Sequence, residues 1–572
     1  MFGNSVIITR SVLIRVISGQ CAGCLFLPPG FRGSNLWKKN FQSLENRRTM
    51  LLLLRKRDAV MRRYIFLLFV IMGLISAAAQ DTEKVITYSF PPEMPLSGQY
   101  DANINGSPVP VLKTEKGSIL SFGMRGPVEI TVLLDKAPEN VVVRPIHAGI
   151  KATLSGRQCT FHLDRPRNLS VEFDGDLDHP LLVFANPELN NPPDKEDPKV
   201  HYFEAGKVHE AGELFLQDGE TLYLEGGAVV HGLVRAVGAN NVSIRGAGIL
   251  DASPRKHKIN MLVFRECTNV SLENFILLNP RGWSIHLSGS EDIDMSNVRV
   301  IGWRANSDGL DIEYCRNIHV TKCFWRTKDD CIAVKALYPP GITGVPLQEM
   351  INPETLGKHE VPRYENDTIG NILITDCVLW NERPGNAFEI GFELRVDRIR
   401  NVTLRNCDII HVVNGAAFSI HNGDRAVIEN VLLDDIRVED TDELIDIVVG
   451  LSIYSDDCPG PYRRSNPDRI RLPMKNRPGD NTSQWVIPEE EDRARFAEHR
   501  GRVKGVVVRD MSVLSPPRSP SIISGYDARH SVSDVTFERL TIEGKPIRSA
   551  AEAQIELHHA ENIRFINQTV SE

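Results

Sequence analysis

The sequence lacks three things: a long apolar stretch after Ala79, a CxxC pair among its last eight cysteines, and an excess of positive charge. A membrane-spanning helix needs roughly 20 apolar residues, and no segment after Ala79 provides them. Scattered cysteines do not favour zinc, and we predict no metal. A net charge of −8 disfavours nucleic acid as a partner. What remains is a globular chain of 572 residues, long enough for two domains or for an elongated repeat fold.

Residues 61–79 have the pattern of a secretory signal peptide. Met61-Arg-Arg precedes the apolar run YIFLLFVIMGLIS, and Ala77 to Ala79 supply an A-x-A cleavage site. Because such a peptide begins at a methionine, we predict translation from Met61 and interpret residues 1–60 as a spurious or disordered leader. A membrane anchor is the alternative, which the short run and the A-x-A site disfavour.

Secretion changes the charge of the mature chain. Residues 1–79 carry twelve Lys or Arg and two Asp or Glu, so without them the formal charge changes from −8 to −18. We therefore predict an acidic extracellular or periplasmic protein, with no nucleic-acid partner and no stable membrane insertion after cleavage.

Residues 80–199 alternate apolar and polar positions between turn signals, as in GPVEITVLL and NLSVEF. A period of two without a helical stretch predicts a small antiparallel β-sandwich-like domain. The Pro-rich and charged segment NNPPDKEDPK, residues 190–199, is typical of a linker that ends this domain.

Residues 200–572 contain a repeat in which a polar anchor precedes Val or Ile. Several spacings are about 23 to 30 residues, which is one coil of a parallel β-helix with three short strands. The anchors are Asn241, Asn269, Asp292, Asn317, Asn371, Asn401, Asn430 and Asp534. Six positions later the residue is always apolar or small: Ala247, Phe275, Val298, Cys323, Cys377, Cys407, Ile436 and Leu540. We predict that this column stacks inside the helix about 4.8 Å apart, with its three cysteines as core residues.

Two stretches interrupt the period. Residues 336–368 are rich in Pro and Gly, and residues 455–500 end in the acidic, helix-prone segment EEEDRARFAEH. Solenoid insertions emerge from turns, often on the binding face, so both are candidate cleft walls. A decorative or subunit-contact role is the alternative for each.

Three carboxylates lie one repeat apart in NSDGLDI and KDDCIAVK. Asp308 is 21 residues before Asp329, which is close to one coil. Asp308 should therefore lie beside the Asp329-Asp330 pair on the neighbouring coil. Crowded acids cannot all ionise easily, and a raised pKa on one of them suits a general acid, while another carboxylate activates water or attacks carbon. This is the two-carboxylate arrangement of glycoside hydrolysis, so we predict a catalytic set of Asp308, Asp329 and Asp330.

These motifs resemble glycoside hydrolase family 28, the polygalacturonases. NSDGLDI and KDDCIAVK are similar to that family's Asn-Thr-Asp and Asp-Asp signatures, and the likeness continues from about Gly206 to Gly544. The resemblance implies a right-handed parallel β-helix. It also implies Asp329 as general acid, Asp308 and Asp330 as activators of water, inversion at carbon, and no cofactor.

The chain departs from that family at two motifs. Asn386 in RPGNAFEIGFE stands where the polygalacturonases have histidine, and their Arg-Ile-Lys, which holds the uronate carboxylate, has no counterpart. A β-sandwich before a β-helix with paired aspartates is also similar to glycoside hydrolase family 49, the dextranases and isopullulanases. A neutral glucan is therefore an alternative to galacturonate.

Four further residues are candidate substrate contacts around this groove. Lys335 follows the aspartate pair, Glu389 and His421 fall in the next coils, and Trp283 lies one coil before Asp308. Each also has a structural interpretation: Lys335 pairs with an aspartate, Glu389 and His421 are ordinary polar residues, and Trp283 caps the core. Overall, the sequence predicts a secreted polysaccharide hydrolase. A polysaccharide lyase and a non-catalytic carbohydrate-binding β-helix are the rival classes.

Overall fold

The computed structural model describes residues 84–337, 368–458, 484–486, 488 and 490–567. The predicted leader, the signal peptide and most of both insertions lie outside these residues. Residues 80–572 form one compact unit. No helix in the described ranges is long and apolar enough to cross a membrane.

The first part of the described chain is a sandwich of two β-sheets. One sheet has the order β1-β5-β11-β10-β7 with β4 also on β5, and the other has the order β3-β2-β6-β9-β8. All pairs are antiparallel except β5 with β11. The strands are β1 (Val85–Thr87), β2 (Tyr100–Ile104), β3 (Ser107–Val109), β4 (Val111–Lys113), β5 (Ser118–Met124), β6 (Val128–Leu134), β7 (Val141–Arg144), β8 (Thr153–Ser155), β9 (Gln158–Leu163), β10 (Arg167–Phe173) and β11 (Leu181–Pro187), with a short 3₁₀ turn at Ile146–Ala148.

The alternation seen in the sequence fills the centre of this sandwich. In β6 the buried side chains alternate with polar ones, as the pattern VEITVLL requires. Ile130 and Phe161 from one sheet and Phe122 and Val171 from the other belong to one buried cluster. The predicted antiparallel sandwich is confirmed, with the parallel β5–β11 pair as an addition.

From Val200 onward the described residues form a parallel β-helix, and an α-helix lies in the described part of the second insertion. The strands are β12 (Val200–Phe203), β13 (Val208–Leu216), β14 (Thr221–Leu224), β15 (Val229–Val237), β16 (Asn240–Gly246), β17 (Ile249–Asp251), β18 (Leu262–Arg265), β19 (Thr268–Glu273), β20 (Ile276–Leu278), β21 (Ile285–Ser288), β22 (Glu291–Ser296), β23 (Arg299–Ile301), β24 (Leu310–Glu313), β25 (Arg316–Thr321), β26 (Phe324–Thr327), β27 (Ile332–Ala336), β28 (Thr368–Thr375), β29 (Val378–Asn381), β30 (Phe388–Leu394), β31 (Arg398–Val412), β32 (Ala416–Asn422), β33 (Val427–Val438), β34 (Glu443–Val449), β35 (Leu451–Ser452), β36 (Trp485–Val486), β37 (Arg502–Arg509), β38 (Ser512–Val513), β39 (Ser521–Ser524), β40 (Val532–Glu538), β41 (Thr541–Ile542), β42 (Lys545–Pro546), β43 (Ile555–His558) and β44 (Ala560–Ile566). Helix α1 is Glu490–Ala497, as the segment EEEDRARFAEH predicts.

Each coil contributes one strand to each of three parallel sheets. The first sheet includes β16, β19, β22, β25 and β28. The second includes β17, β20, β23, β26 and β29. The third includes β18, β21, β24, β27, β30, β32 and β34. Long strands such as β31 turn a corner and serve both the first and second sheets.

The backbone conformation explains why the anchors of the repeat are Asn or Asp. All eight have a left-handed backbone with φ between 55° and 58°, a conformation that asparagine and aspartate tolerate better than other non-glycine residues. Their side chains also form a ladder, since Asn371 donates to Asn317 at 3.0 Å and Asn401 donates to Asn371 at 3.0 Å. Gly505 occupies the same position with φ 69°, which explains why a search for a polar anchor misses that coil.

The predicted inward column is confirmed. All eight of its residues are at most 1% exposed, and Met511, six positions after Gly505, is fully buried as well. The eight cysteines from Cys159 to Cys458 are all buried and unbridged. The cysteine positions of the column therefore serve packing, as their small apolar side chains favour.

The sandwich packs against the outer face of the second sheet. Leu182 and Phe184 of β11 share a buried cluster with Ile301, Phe324 and Trp380 of the helix. This contact explains why β29 begins with the continuous apolar run VLW, because the second sheet is covered on both of its faces.

Buried polar contacts join the same two parts. Arg326 donates to the carbonyl oxygens of Lys116 at 2.8 Å and Leu177 at 2.6 Å. His411 of β31 has Nε2 at 3.0 Å from Glu172 Oε1 of β10 and Nδ1 at 3.4 Å from Asp440 Oδ2. These side chains fix the orientation of the sandwich on the helix.

The His411 contact predicts a pH-dependent stability. Burial alone would lower the pKa of His411, but hydrogen bonds with Asp440 and Glu172 outweigh it and hold that pKa above the ordinary 6.5. Stabilisation from a raised pKa is complete below the unfolded value and is lost as pH rises through the folded one. We expect the advantage of the wild type over His411→Gln in unfolding free energy to be largest near about pH 5.5 and to shrink above about pH 7. Urea titrations across this range measure it, and a difference that stayed constant with pH would contradict a charged His411.

Candidate active site

The predicted catalytic aspartates lie in two neighbouring turns between the second and third sheets. Asp308 precedes β24, and Asp329 and Asp330 precede β27. Since β24 pairs in parallel with β27, these turns lie side by side at the same edge of the third sheet. One carboxylate oxygen from each of the three residues lies within 4.8 Å of the others. The repeat spacing therefore predicted their proximity correctly.

Asp308 is held by a buried lysine. Lys335 Nζ lies 3.0 Å from Asp308 Oδ2 and 2.7 Å from Asp311 Oδ1. The same ammonium group is 4.5 Å from the ring centroid of Trp283. Although burial alone would lower it, the pKa of Lys335 is held well above its usual range by Asp308 and Asp311. Lys335 is therefore a permanent cation that keeps Asp308 in place.

Asp330 is held by hydrogen-bond donors. Asn386, just before β30, donates its backbone N–H to Asp330 Oδ1 at 2.7 Å, and its side-chain amide donates to the same oxygen at 3.3 Å. Two donors on one oxygen favour the ionised form of this carboxyl group. This offsets part of the effect of burial and of the neighbouring acids, which raise the pKa of Asp330 well above its usual range.

Asp329 differs from Asp308 because its carboxylate has no ion pair among the described residues, and its Oδ1 accepts the backbone N–H of Asp330 at 3.2 Å. Its carbonyl oxygen accepts hydrogen bonds from Asn381 Nδ2 at 2.6 Å and Thr327 Oγ1 at 2.7 Å, which fix the turn. Burial and then the negative charge of Asp308 raise the pKa of Asp329 to about 7, against the opposing charge of Lys335. Asp329 is thus suited to hold and release a proton near neutral pH, where it competes for protons with the adjacent Asp330, whose pKa is also raised.

The remaining predicted contacts lie on the outer face of the third sheet. Trp283 packs edge-on against His286 at 5.0 Å and contacts Lys335. Glu389 of β30 is 1% exposed and faces His421 of β32, whose Nδ1 lies 2.9 Å from Glu389 Oε1. The structure brings Lys335 to the aspartates directly, and Glu389 reaches them through Asn386, whose amide donates to Glu389 Oε2 at 2.8 Å.

Sequence reasoning missed Asp311 and Asp446, and it noticed Asn386 without assigning it a role. Asp311 lies outward on β24 in the alternating segment LDIE, one coil before Lys335. Asp446 occupies the equivalent outward position on β34, where its Oδ2 is 2.9 Å from His421 Nε2. In both strands, side chains alternate between the core and the outer face, and a polar residue stands at an outer position. That alternation could have identified both aspartates from the sequence.

By donor type, the three aspartates are also the kind of cluster that holds a divalent cation. The Lys335 ammonium already lies against Asp308 and supplies positive charge at this point. Its position makes a resident metal less favourable.

Comparisons with known proteins agree with the motifs. The family model for glycosyl hydrolases family 28 matches residues 226–347, which include all three aspartates. A probable polygalacturonase of Arabidopsis thaliana is 23% identical over 191 residues, covering 32% of this chain and 34% of that protein. A probable exopolygalacturonase B of Emericella nidulans is 26% identical over 182 residues, covering 30% and 40%. The chain thus spans about a third to two fifths of the length of these two relatives.

A solved structure supports the whole architecture. Dex49A from Penicillium minioluteum superposes with a TM-score of 0.55 at 12% identity, covering 82% of this chain and 96% of the other. At that identity the likeness concerns the fold alone. It extends beyond the segment matched by the family model and includes most of the described chain, so the predicted fold class is confirmed.

Proposed function

We propose that this chain, which resembles glycoside hydrolase family 28 at residues 226–347, hydrolyses O-glycosidic bonds of a polysaccharide. The observation that carries this proposal is the different environment of three adjacent carboxylates. Asp308 faces a lysine, Asp330 faces two donors of Asn386, and among the described residues Asp329 accepts the backbone N–H of Asp330 at 3.2 Å. A proton donor and ionised carboxylates are the groups that this reaction needs.

Asp329 is the general acid in this proposal. Its carboxyl group donates a proton to the glycosidic oxygen as the bond to the anomeric carbon breaks, so the leaving sugar departs as a neutral alcohol. A pKa of about 7 allows the group to be protonated in mildly acidic solution and still to release its proton readily.

Asp308 and Asp330 are the proposed activators of water. Their carboxylates accept hydrogen bonds from the two hydrogens of one water molecule. One of them takes a proton as the water oxygen bonds to the anomeric carbon opposite the departing group, and the other hydrogen stays in the new hydroxyl. The Asp308–Lys335 and Asp330–Asn386 contacts hold both carboxylates away from direct attack on carbon. Activation of water by fixed carboxylates supports inversion at the anomeric carbon. The short separation of the carboxylate oxygens, within 4.8 Å, would by itself favour a hydrolase that retains the anomeric configuration.

The identity of the sugar has two candidates. The family likeness favours a galacturonate polymer, whose carboxylate requires a cation. The Lys335 ammonium group and the His421 imidazole, both on the third sheet, each already face two carboxylates. That observation favours a neutral sugar at the cleavage point, as in the substrates of glycoside hydrolase family 49.

The direct test is reducing-sugar release from polygalacturonate, dextran and pullulan. Proton NMR of the first product identifies its anomeric configuration, and inversion is expected. An unsaturated product that absorbs in the ultraviolet would indicate a lyase, and binding without any cleavage would indicate a carbohydrate-binding helix. Either outcome would refute the hydrolase proposal.

Secretion is part of the same proposal. The signal-peptide pattern at residues 61–79 and the acidic mature chain support an extracellular or periplasmic location, where polysaccharides are accessible. Of the substrate contacts, Trp283 remains a proposed sugar-stacking residue. The ion pairs of Lys335, Glu389 and His421 favour roles in positioning over direct contact with sugar.

A further inference from the structure

We infer that Asn386, Glu389, His421 and Asp446 form a positioning chain that orients Asp330 from the coils on its C-terminal side. The inference rests on the proposed hydrolytic function and adds residues that touch neither the substrate nor the reacting atoms. The chain extends outward from Asp330 through β30, β32 and β34, three successive strands of the third sheet.

The first member, Asn386, has every side-chain polar atom engaged. Its Oδ1 accepts the backbone N–H of Ala416 at 2.8 Å, which determines which way the amide faces. Its Nδ2 is therefore directed to Asp330 Oδ1 at 3.3 Å and Glu389 Oε2 at 2.8 Å. Turning the amide over would break all three contacts. Asparagine does not titrate, so these donors face Asp330 at every pH.

The second part of the chain is an imidazole between two carboxylates. His421 Nδ1 lies 2.9 Å from Glu389 Oε1, and Nε2 lies 2.9 Å from Asp446 Oδ2. A ring nitrogen faces a carboxylate favourably only when it carries hydrogen, so a ring between two carboxylates favours hydrogen on both nitrogens. Ser419 also donates to Glu389 Oε2. All these groups are buried, so electrostatic interactions between them are stronger than they would be in water.

Aromatic packing keeps the imidazole in place. The Phe392 ring stacks on His421 with centroids 4.5 Å apart, and Trp485 approaches it edge-on at 5.6 Å. The charged groups that face His421 are Glu389 from β30 and Asp446 from β34.

The chain matters for the reaction because Glu389 is a negative charge close to Asp330. That charge is one of the causes that raise the pKa of Asp330, after burial and Asp329. The pairing of Glu389 with His421 offsets this charge, so the chain favours the ionised form of Asp330 over what an unpaired Glu389 would allow.

The kinetic test is His421→Gln, assayed on whichever of polygalacturonate and dextran the wild type hydrolyses faster. With the buried Glu389 charge no longer offset, we expect the acidic limb of the kcat profile to move up by about one pH unit. Below that limb kcat should fall about tenfold, while KM changes less than about twofold. The double variant Glu389→Gln/His421→Gln should recover the wild-type limb, because it removes the charge along with its counter-ion.

His411→Gln is a matched control. His411 is also buried between two carboxylates, but it faces the sandwich, away from the aspartates. The His411→Gln variant should be less stable than the wild type but keep the wild-type pH profile of kcat. If His421→Gln keeps that profile too, or if both variants shift it equally, the network is only structural and the inference is wrong.

A measurement without substrate separates this inference from the proposed function. Infrared titration follows the protonated carboxyl band, and subtraction of the Asp330→Asn spectrum isolates Asp330. His421→Gln should raise that midpoint, whereas His411→Gln should leave it unchanged. If the midpoint does not move, the positioning chain is refuted even when Asp329→Asn is inactive. If Asp329→Asn stays active, the hydrolase proposal fails, and the infrared midpoint still decides the chain.

Discussion

Asp329→Asn is expected to lower kcat by about 10²–10⁴-fold, the range that a lost general acid typically costs. An amide has nearly the same shape as the carboxyl group, so the turn held by Asn381 and Thr327 should stay intact. It cannot donate a proton to the glycosidic oxygen, and the leaving sugar would have to depart as an alkoxide. KM should change little, because the loss concerns the transition state. Single-turnover kinetics on the preferred polysaccharide measure it.

Two comparisons make this result specific. Substrates with a better leaving group, such as aryl glycosides, should lose much less activity, since they need less protonation. Asp294→Asn is the control for removal of a negative charge, because Asp294 lies on the exposed side of β22. Asp329→Asn with wild-type turnover would remove Asp329 from the mechanism.

Lys335→Met is expected to lower the free energy of unfolding by about 3–5 kcal/mol, as loss of one partner of a buried ion pair does. Lys335 faces Asp308 and Asp311, and Met would leave two buried carboxylates without a cation. Burial and the acids around it already raise the pKa of Asp311 well above its usual range. The deficit should therefore shrink as pH falls and these carboxylates become protonated. Urea unfolding at several pH values measures this trend.

The double variant Lys335→Met/Asp311→Asn should recover much of that stability, because it also removes one uncompensated carboxylate. Lys504→Met is the surface control. Lys504 pairs with Glu429 at 3.1 Å while 41% exposed, so its loss should cost at most about 1 kcal/mol. Equal losses in both lysine variants would argue against a buried, structurally important ion pair in the site.

Much of the fold could be predicted because its signal is local. Asn317 and Asn371 mark the same backbone position in successive coils, and Cys323 and Cys377 follow six residues later in the core. The insertion at residues 336–368 lengthens the spacing between these two coils, but their equivalent positions could still be aligned. The sequence did not indicate that the anchors need a left-handed backbone, and for that reason Gly505 went unrecognised.

The packing of the sandwich could not be predicted in the same way. Phe184 and Trp380 are far apart in sequence, and each looks like an ordinary apolar residue of its own strand. Their contact arises only when two separately formed β surfaces meet. The partners of Arg326 are backbone carbonyl groups, which carry no signature in a sequence.

For Asp308, Asp329 and Asp330, the sequence by itself determined their proximity, because one coil of a β-helix places equivalent positions side by side. Only the tertiary structure decided what surrounds each carboxylate. Asp330 meets Asn386 across 56 residues of chain, and His421 meets Asp446 through the parallel pairing of β32 with β34. Burial and neighbouring charge set the proton affinity of an acid, and both depend on residues that the repeat brings together only after folding.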